Sequence, residues 1–226
     1  MHHQFQKRLS AILFDVDGTL MDTVPDLLDL TNRILEELDQ PLQTAESIHR
    51  LMGMDPKYRL IHLALPGEAS ERDQAYALEL WEKYFPEHQD LARPFPGISE
   101  ALQALSDEGF ALGVVSNKRQ DAVEDLCKRW FPGLIDACVG RQPGVPIKPD
   151  PAMLVQAAND LDWPVAQIAY VGDTATDMEA AHNASMCAVA VTWGFQDPAS
   201  FTGASVPDRI ICASSQLTGL ARVIEQ

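Results

Sequence analysis

Apolar residues follow two rhythms along the chain. Short unbroken runs alternate with segments whose apolar residues return every three or four positions. Ile12-Leu13-Phe14 is the first run, the pattern of a strand buried on both faces. Similar runs occur at 110–116 (FALGVVS), 136–140 (DACVG), 168–173 (IAYVGD), 187–193 (CAVAVTW) and 209–212 (RIIC). Helical faces lie between most of them. Ile98, Ala101, Leu102 and Leu105 share one, and Gly109 suits the cap beyond its end. Ala122, Val123, Leu126 and Trp130 form another, and Met153, Leu154, Ala157, Ala158 and Leu161 a third. Strand alternating with helix predicts an α/β fold, a parallel sheet covered by helices.

The alternation breaks between residues 22 and 92. Val24, Leu27, Leu28, Thr31, Ile34, Leu35 and Leu38 line one helix. Thr23 and Asp26 stand three apart at its start, the spacing of a capping box. Helical patterns continue through 46–64 and 70–85. This predicts an all-helical insertion at 22–92, between a first core segment at 1–21 and the remainder at 93–226. ARPFPG at 92–97, with two prolines and a glycine, suits the return hinge.

Composition narrows the function. Of 226 residues, 46% are apolar, enough for a sizeable core. Lys and Arg number 17 against 33 Asp and Glu, a net charge of −16. Such a chain repels nucleic acid and anionic membranes, and no basic cluster counters this. Cys127, Cys138, Cys187 and Cys212 contain no C-x-x-C pair, which argues against zinc. The opening MHHQFQKRLS lacks the apolar stretch of a signal peptide, and no apolar run approaches membrane-spanning length. A cytoplasmic protein is expected.

The chemistry gathers where strands end. FDVDGTL places Asp15 and Asp17 just past the first strand, and open parallel sheets bind ligands at such ends. The repulsion of two close carboxylates eases if a divalent cation joins them or one keeps a proton. An Asp-Gly turn is the plainer reading of that stretch alone. VVSNK puts Ser116 and Asn117 at another strand end, as phosphate ligands or simply a helix cap. PIKPDP holds Lys148 between prolines, although an isolated loop lysine is usually only solvated. YVGDTATD sets Asp173 and Asp177 four apart, either as an acidic first helical turn or as part of a cation site. Strand-end carboxylates at two places suit magnesium, which takes hard oxygen ligands and retains water.

In that order, D-x-D-G-T, S-N, K-P-D-P and G-D-x-x-x-D resemble the haloacid dehalogenase superfamily across nearly the whole chain. DTVPDL, RPFPG, KPDP and VTWGF are similar to the phosphoglycolate phosphatase-like branch. The resemblance implies a Rossmann-like core with the insertion as a helical cap domain. It also implies a magnesium-dependent phosphatase working through an aspartyl phosphate, with a small phosphorylated metabolite as substrate. Asp15 would be the nucleophile, and Asp17 would protonate the leaving group and then activate water. Ser116, Asn117 and Lys148 would bind the phosphoryl group. Asp15, the Asp17 carbonyl and Asp173 would hold the metal, with Asp177 acting behind them. Arg50, before Gly53 in HRLMG, would read the substrate from the cap.

Three rival activities would each leave a different mark on the sequence. A dehalogenase would lack the second aspartate, which Asp17 supplies. A phosphomutase resembling β-phosphoglucomutase would carry histidine where Leu27 stands. A non-catalytic binding protein that retains the fold would have no need of the intact set of catalytic positions. The motifs encode phosphoryl chemistry and leave the leaving group and the oligomeric state unspecified.

Overall fold

The computed structural model describes residues 9–52, 62, 70–85 and 90–220. In chain order, β1 (Ala11–Phe14) leads to the two-residue strand β2 (Met21–Asp22). Helices α1 (Val24–Glu37), α2 (Ala45–Arg50) and α3 (Glu71–Tyr84) follow, then β3 (Arg93–Pro94). The remainder is α4 (Ile98–Asp107), β4 (Ala111–Arg119), α5 (Gln120–Trp130), β5 (Ala137–Arg141), α6 (Ala152–Asp160), β6 (Ile168–Gly172), α7 (Ala175–Asn183), β7 (Cys187–Val191) and β8 (Arg209–Ile211). Two compact units result, Met1–Met21 with Pro94–Gln226, and Asp22–Arg93.

The first unit is built on one six-stranded sheet, ordered β5-β4-β1-β6-β7-β8 and parallel throughout. Every residue of β1 is buried, which is why its sequence is continuously apolar rather than alternating. Leu13 packs with Val115, Val139, Met153, Leu154 and Tyr170 in the core between the sheet and helices α6 and α7. Phe14 pairs with Val114 on one side and Val171 on the other. The chain winds from β1 to β4 and β5 in one direction, and through β6, β7 and β8 in the other. This switch point puts a crevice beyond the carboxyl end of β1, the usual ligand position in an open parallel sheet.

The second unit is built from helices in its described residues, with strand residues only at its ends, Asp22 and Arg93. Leu30, Ile34 and Leu35 of α1 pack on Ala77, Leu80 and Tyr84 of α3. Tyr84 donates its hydroxyl proton to Glu37, and the Arg33 guanidinium lies 4.6 Å from the Tyr84 ring centroid. The expected Thr23–Asp26 capping box does not form. Thr23 makes no side-chain cap bond; instead Asp26 Oδ1 accepts from Leu91 N at 2.7 Å and Ala92 N at 3.0 Å. Asp26 thereby satisfies backbone donors of the returning chain rather than those of its own helix. The helix expected over 46–64 is described only as Ala45–Arg50, its N-cap bond running from Ser47 N to the Thr44 side chain; the rest, Gly53 included, lies outside the described residues apart from residues 51, 52 and 62.

Candidate active site

The loop after β1 is wound tightly. Thr19, Leu20 and Met21 each aim a backbone N–H at Val16 O, at 3.3, 3.1 and 2.9 Å. Gly18 has φ +88, and a Cβ there would overlap Asp173 Oδ2 and the Phe195 ring. Only glycine meets both demands at that position. The turn leaves Asp15 buried and Asp17 partly exposed at the end of the central strand.

Lys148 joins three neighbouring segments. Its ammonium lies 2.9 Å from Asp15 Oδ1, 2.7 Å from Asp177 Oδ1 and 2.7 Å from the Tyr170 hydroxyl. Tyr170 in turn donates to Val115 O at 2.9 Å. Burial alone would lower the Lys148 pKa, but Asp15 and Asp177 more than reverse this, and the group stays charged. The Lys148–Pro149 peptide bond is cis. The backbone of Lys148 is clasped by Asn117, whose Oδ1 accepts from Lys148 N at 3.0 Å and whose Nδ2 donates to Lys148 O at 3.2 Å. Sequence reasoning expected the Asn117 side chain on the phosphoryl group. Both ends of its amide are instead engaged in placing the lysine.

Ser116 is buried, and its Oγ accepts from Lys118 N at 3.2 Å. Strand β4 extends through Arg119, with a register shift between Val115 and Arg119. Ser116 and Asn117 therefore sit within an irregular strand end rather than beyond it, and α5 begins at once at Gln120.

Asp173 and Asp177 differ in their freedom. Asp177 Oδ2 accepts from Thr174 Oγ1 at 2.6 Å, Thr174 N at 3.0 Å and Asp173 N at 3.3 Å. Its Oδ1 accepts from Lys148 at 2.7 Å, with the Tyr170 hydroxyl 3.2 Å away and its one proton shared between Oδ1 and Val115 O, so its lone pairs are largely engaged. Asp173 has one partner on each oxygen, Thr19 Oγ1 at 2.9 Å and Phe195 N at 2.8 Å. Gly194 allows that approach, since a Cβ there would overlap Asp173 Cβ.

Oxygens of Asp15, Asp173 and Asp177 all lie within 4.8 Å of one another. Burial, then repulsion from Asp177 and Asp17 against the pull of Lys148, pushes Asp15 up to about 7. Burial, followed by Asp177 and Asp15, drives Asp173 well above the usual carboxylate range. Three clustered buried carboxylates, two of them paired with one buried ammonium, leave negative charge that a hard divalent cation would offset. The donor set therefore fits such an ion, with Asp15 and Asp173 less engaged by the protein than Asp177.

The family model for haloacid dehalogenase-like hydrolases matches residues 12–191, which include Asp15, Asp17, Ser116, Asn117, Lys148, Asp173 and Asp177. The chain belongs to that family. The hydrolase is 34% identical over 218 residues to the phosphoglycolate phosphatase of Neisseria meningitidis, covering 91% of this chain and 90% of the relative. It is 32% identical over 224 residues to that of Neisseria gonorrhoeae, covering 93% and 92%. A crystal structure from Lactobacillus delbrueckii subsp. bulgaricus, provisionally named a phosphoglycolate phosphatase, superposes with a TM-score of 0.85 at 28% identity, covering 95% and 98%. The hydrolase thus resembles phosphoglycolate phosphatases over nearly its full length.

Sequence reasoning passed over several of the hydrolase's site residues. Lys118 Nζ lies 3.1 Å from Asp17 Oδ1, and Trp193 Nε1 donates to Thr19 O at 3.0 Å. Tyr170 carried a usable signal: a hydroxyl in an otherwise apolar, doubly covered strand must find a buried partner. Thr174 carried another, because TATD has capping-box spacing and the box forms there. Arg50 is exposed at the end of α2 in the helical unit.

Proposed function

We propose that this hydrolase is a magnesium-dependent phosphatase that cleaves a small phosphomonoester through an aspartyl phosphate on Asp15, with 2-phosphoglycolate the first substrate to test. The observation that carries this reading is the clustering of Asp15, Asp173 and Asp177, with Lys148 paired to Asp15 and Asp177, beyond the ends of the central strands. Likeness to phosphoglycolate phosphatases supports the choice of substrate.

Asp15 attacks the phosphorus as the bond to the leaving oxygen breaks. Asp17, beside it and partly open to solvent, gives the departing alkoxide a proton. Asp17 then takes a proton from water as that water attacks the phosphorus, and the bond to Asp15 breaks. Ser116 and the Lys148 ammonium stabilise charge on the phosphoryl oxygens. Asn117 holds Lys148 in place, and Asp177 braces Lys148 through Oδ1 while its Oδ2 is fixed by Thr174 and the Asp173 backbone. Magnesium, held by Asp15, the Asp17 carbonyl and Asp173, would supply positive charge to the nucleophile and the phosphoryl group.

The helical unit Asp22–Arg93 is assigned the part of a cap, on its insertion directly after the nucleophile loop. In that role it excludes water before chemistry and contacts the part of the substrate that is not transferred, with Arg50 as specificity residue. A cytoplasmic enzyme is in keeping with four free cysteines. No described helix is long and apolar enough to cross a membrane. Assay of the purified protein against a panel of phosphorylated metabolites, with and without magnesium, tests the reading. Magnesium-dependent release of phosphate from 2-phosphoglycolate is expected, and no phosphatase activity on any member would overturn it.

A further inference from the structure

Away from the strand ends, the last turns of α5 carry Cys127 and the edge strand β5 carries Cys138. Their sulfurs lie 3.8 Å apart, and both are free thiols. Cys127 is buried and Cys138 half-buried. Both line a cavity of about 370 Å³, together with Glu124, Lys128 and Phe131. The phosphatase reading uses neither cysteine. Among the described residues, Cys187 and Cys212 have no comparable thiol neighbour, although Cys212 is the more exposed.

We propose that Cys127 and Cys138 form a reversible disulfide on exposure to a hydroperoxide, which enters through this cavity. Cys138 is the sulfur that reacts first. It is the more accessible of the two, and its thiol is held below its ordinary pKa by the hydrogen bond with Cys127 and by Lys128. Cys127 is pushed up by the same hydrogen bond and by burial, so it stays a thiol until needed. The Cys138 thiolate attacks the terminal peroxide oxygen and the O–O bond breaks. The leaving alkoxide takes up the proton that the thiol gave up. The products are a sulfenic acid and an alcohol, or water from hydrogen peroxide. The Cys127 sulfur then attacks the sulfenic sulfur, the S–O bond breaks, and the hydroxyl departs as water with the Cys127 proton. Two thiols lose two electrons and one hydroperoxide is reduced.

Geometry favours closure over further oxidation. The sulfurs must shorten their separation from 3.8 Å to about 2.05 Å, on elements already held together. Gln120, at the start of α5, donates to Cys138 O at 3.0 Å and accepts from Gly140 N at 2.6 Å. The disulfide would add a second clasp at the other end of the helix, fixing α5 to the edge of the sheet.

The test uses the full-length, magnesium-loaded protein, treated with a slight excess of hydrogen peroxide, denatured in an alkylating agent and mapped by peptide mass. A Cys127–Cys138 linked peptide about 2 Da below the sum of the reduced peptides is expected, and dithiothreitol should return both thiols. Loss of this pair should outpace loss of Cys187 and Cys212 by at least about tenfold. In Cys127→Ser, Cys138 should instead be trapped by dimedone as the sulfenic acid. Both cysteines alkylated after peroxide treatment of the wild type, or linkage mainly through Cys187 or Cys212, would overturn the proposal.

Discussion

Lys118 Nζ lies 3.1 Å from Asp17 Oδ1, an ion pair that ties the end of β4 to the loop after β1. If Asp17 carries the proton to the leaving group, Lys118 positions the carboxylate that does so. Lys118→Met should then lower kcat by about tenfold on an alkyl phosphate, whose leaving group needs the proton. p-Nitrophenyl phosphate, whose leaving group needs little help, should lose much less. Equal losses on both substrates would assign Lys118 to binding the phosphoryl group instead.

Lys148 serves stability and catalysis together. Its removal leaves Asp15 and Asp177 buried without their shared cation. Lys148→Met should destabilise the metal-free protein by about 3–5 kcal/mol, the usual cost of breaking a buried ion pair from one side. It should also cut kcat by about 10²–10³-fold, as loss of a transition-state charge partner does. Denaturant melts and steady-state kinetics check the two effects separately. A variant as stable and active as the wild type would remove Lys148 from the account.

Magnesium should raise the melting temperature of the wild type, since a bound cation offsets the charge of Asp15 and Asp173. At about 100 times its dissociation constant it should add about 2.7 kcal/mol. Asp173→Ala should lose most of this shift and need far more magnesium for activity. EDTA should abolish turnover, and calcium should inhibit through its longer, looser coordination. Full activity in metal-free buffer would contradict the assignment.

Arg50→Ala should lower kcat/KM for the preferred small substrate more than for p-nitrophenyl phosphate, which has no second anionic group. Parallel kinetics on both substrates decide this. A uniform loss, or none, would move the search for the specificity residue elsewhere in residues 22–93.

The middle of the sheet was legible because β1 and β6, and nearly all of β7, are buried on both faces, so Ile12–Phe14 and Ile168–Gly172 run without a charged residue; the edge strand β8, with Arg209 and an exposed Ile210, showed only as a short apolar run. The acidic strand ends were legible for the converse reason: polar residues directly after such strands need a purpose. Side-chain partnerships were less so. Thr23-x-x-Asp26 and Thr174-x-x-Asp177 have the same spacing, yet only the second forms a capping box. What separates them is tertiary: Asp26 meets the backbone at Leu91 and Ala92, some 65 residues away in sequence. Asn117 was expected on the phosphoryl group, and its amide bonds the Lys148 backbone, a contact that the relative placement of β4 and the 144–150 loop decides. Lys118 and Trp193 were missed because their partners, Asp17 and the Thr19 carbonyl, lie on a different strand-end loop.

Asp15 should become phosphorylated during turnover. The most direct measurement is an acid quench during steady-state hydrolysis of a phosphomonoester, followed by borohydride reduction and peptide mapping. Borohydride converts an acyl phosphate to an alcohol, so residue 15 should be recovered in part as homoserine. The conversion should need both substrate and magnesium, and should be absent in Asp15→Asn, which should also have lost turnover. Undiminished turnover by Asp15→Asn, or homoserine recovered at another aspartate, would contradict the account.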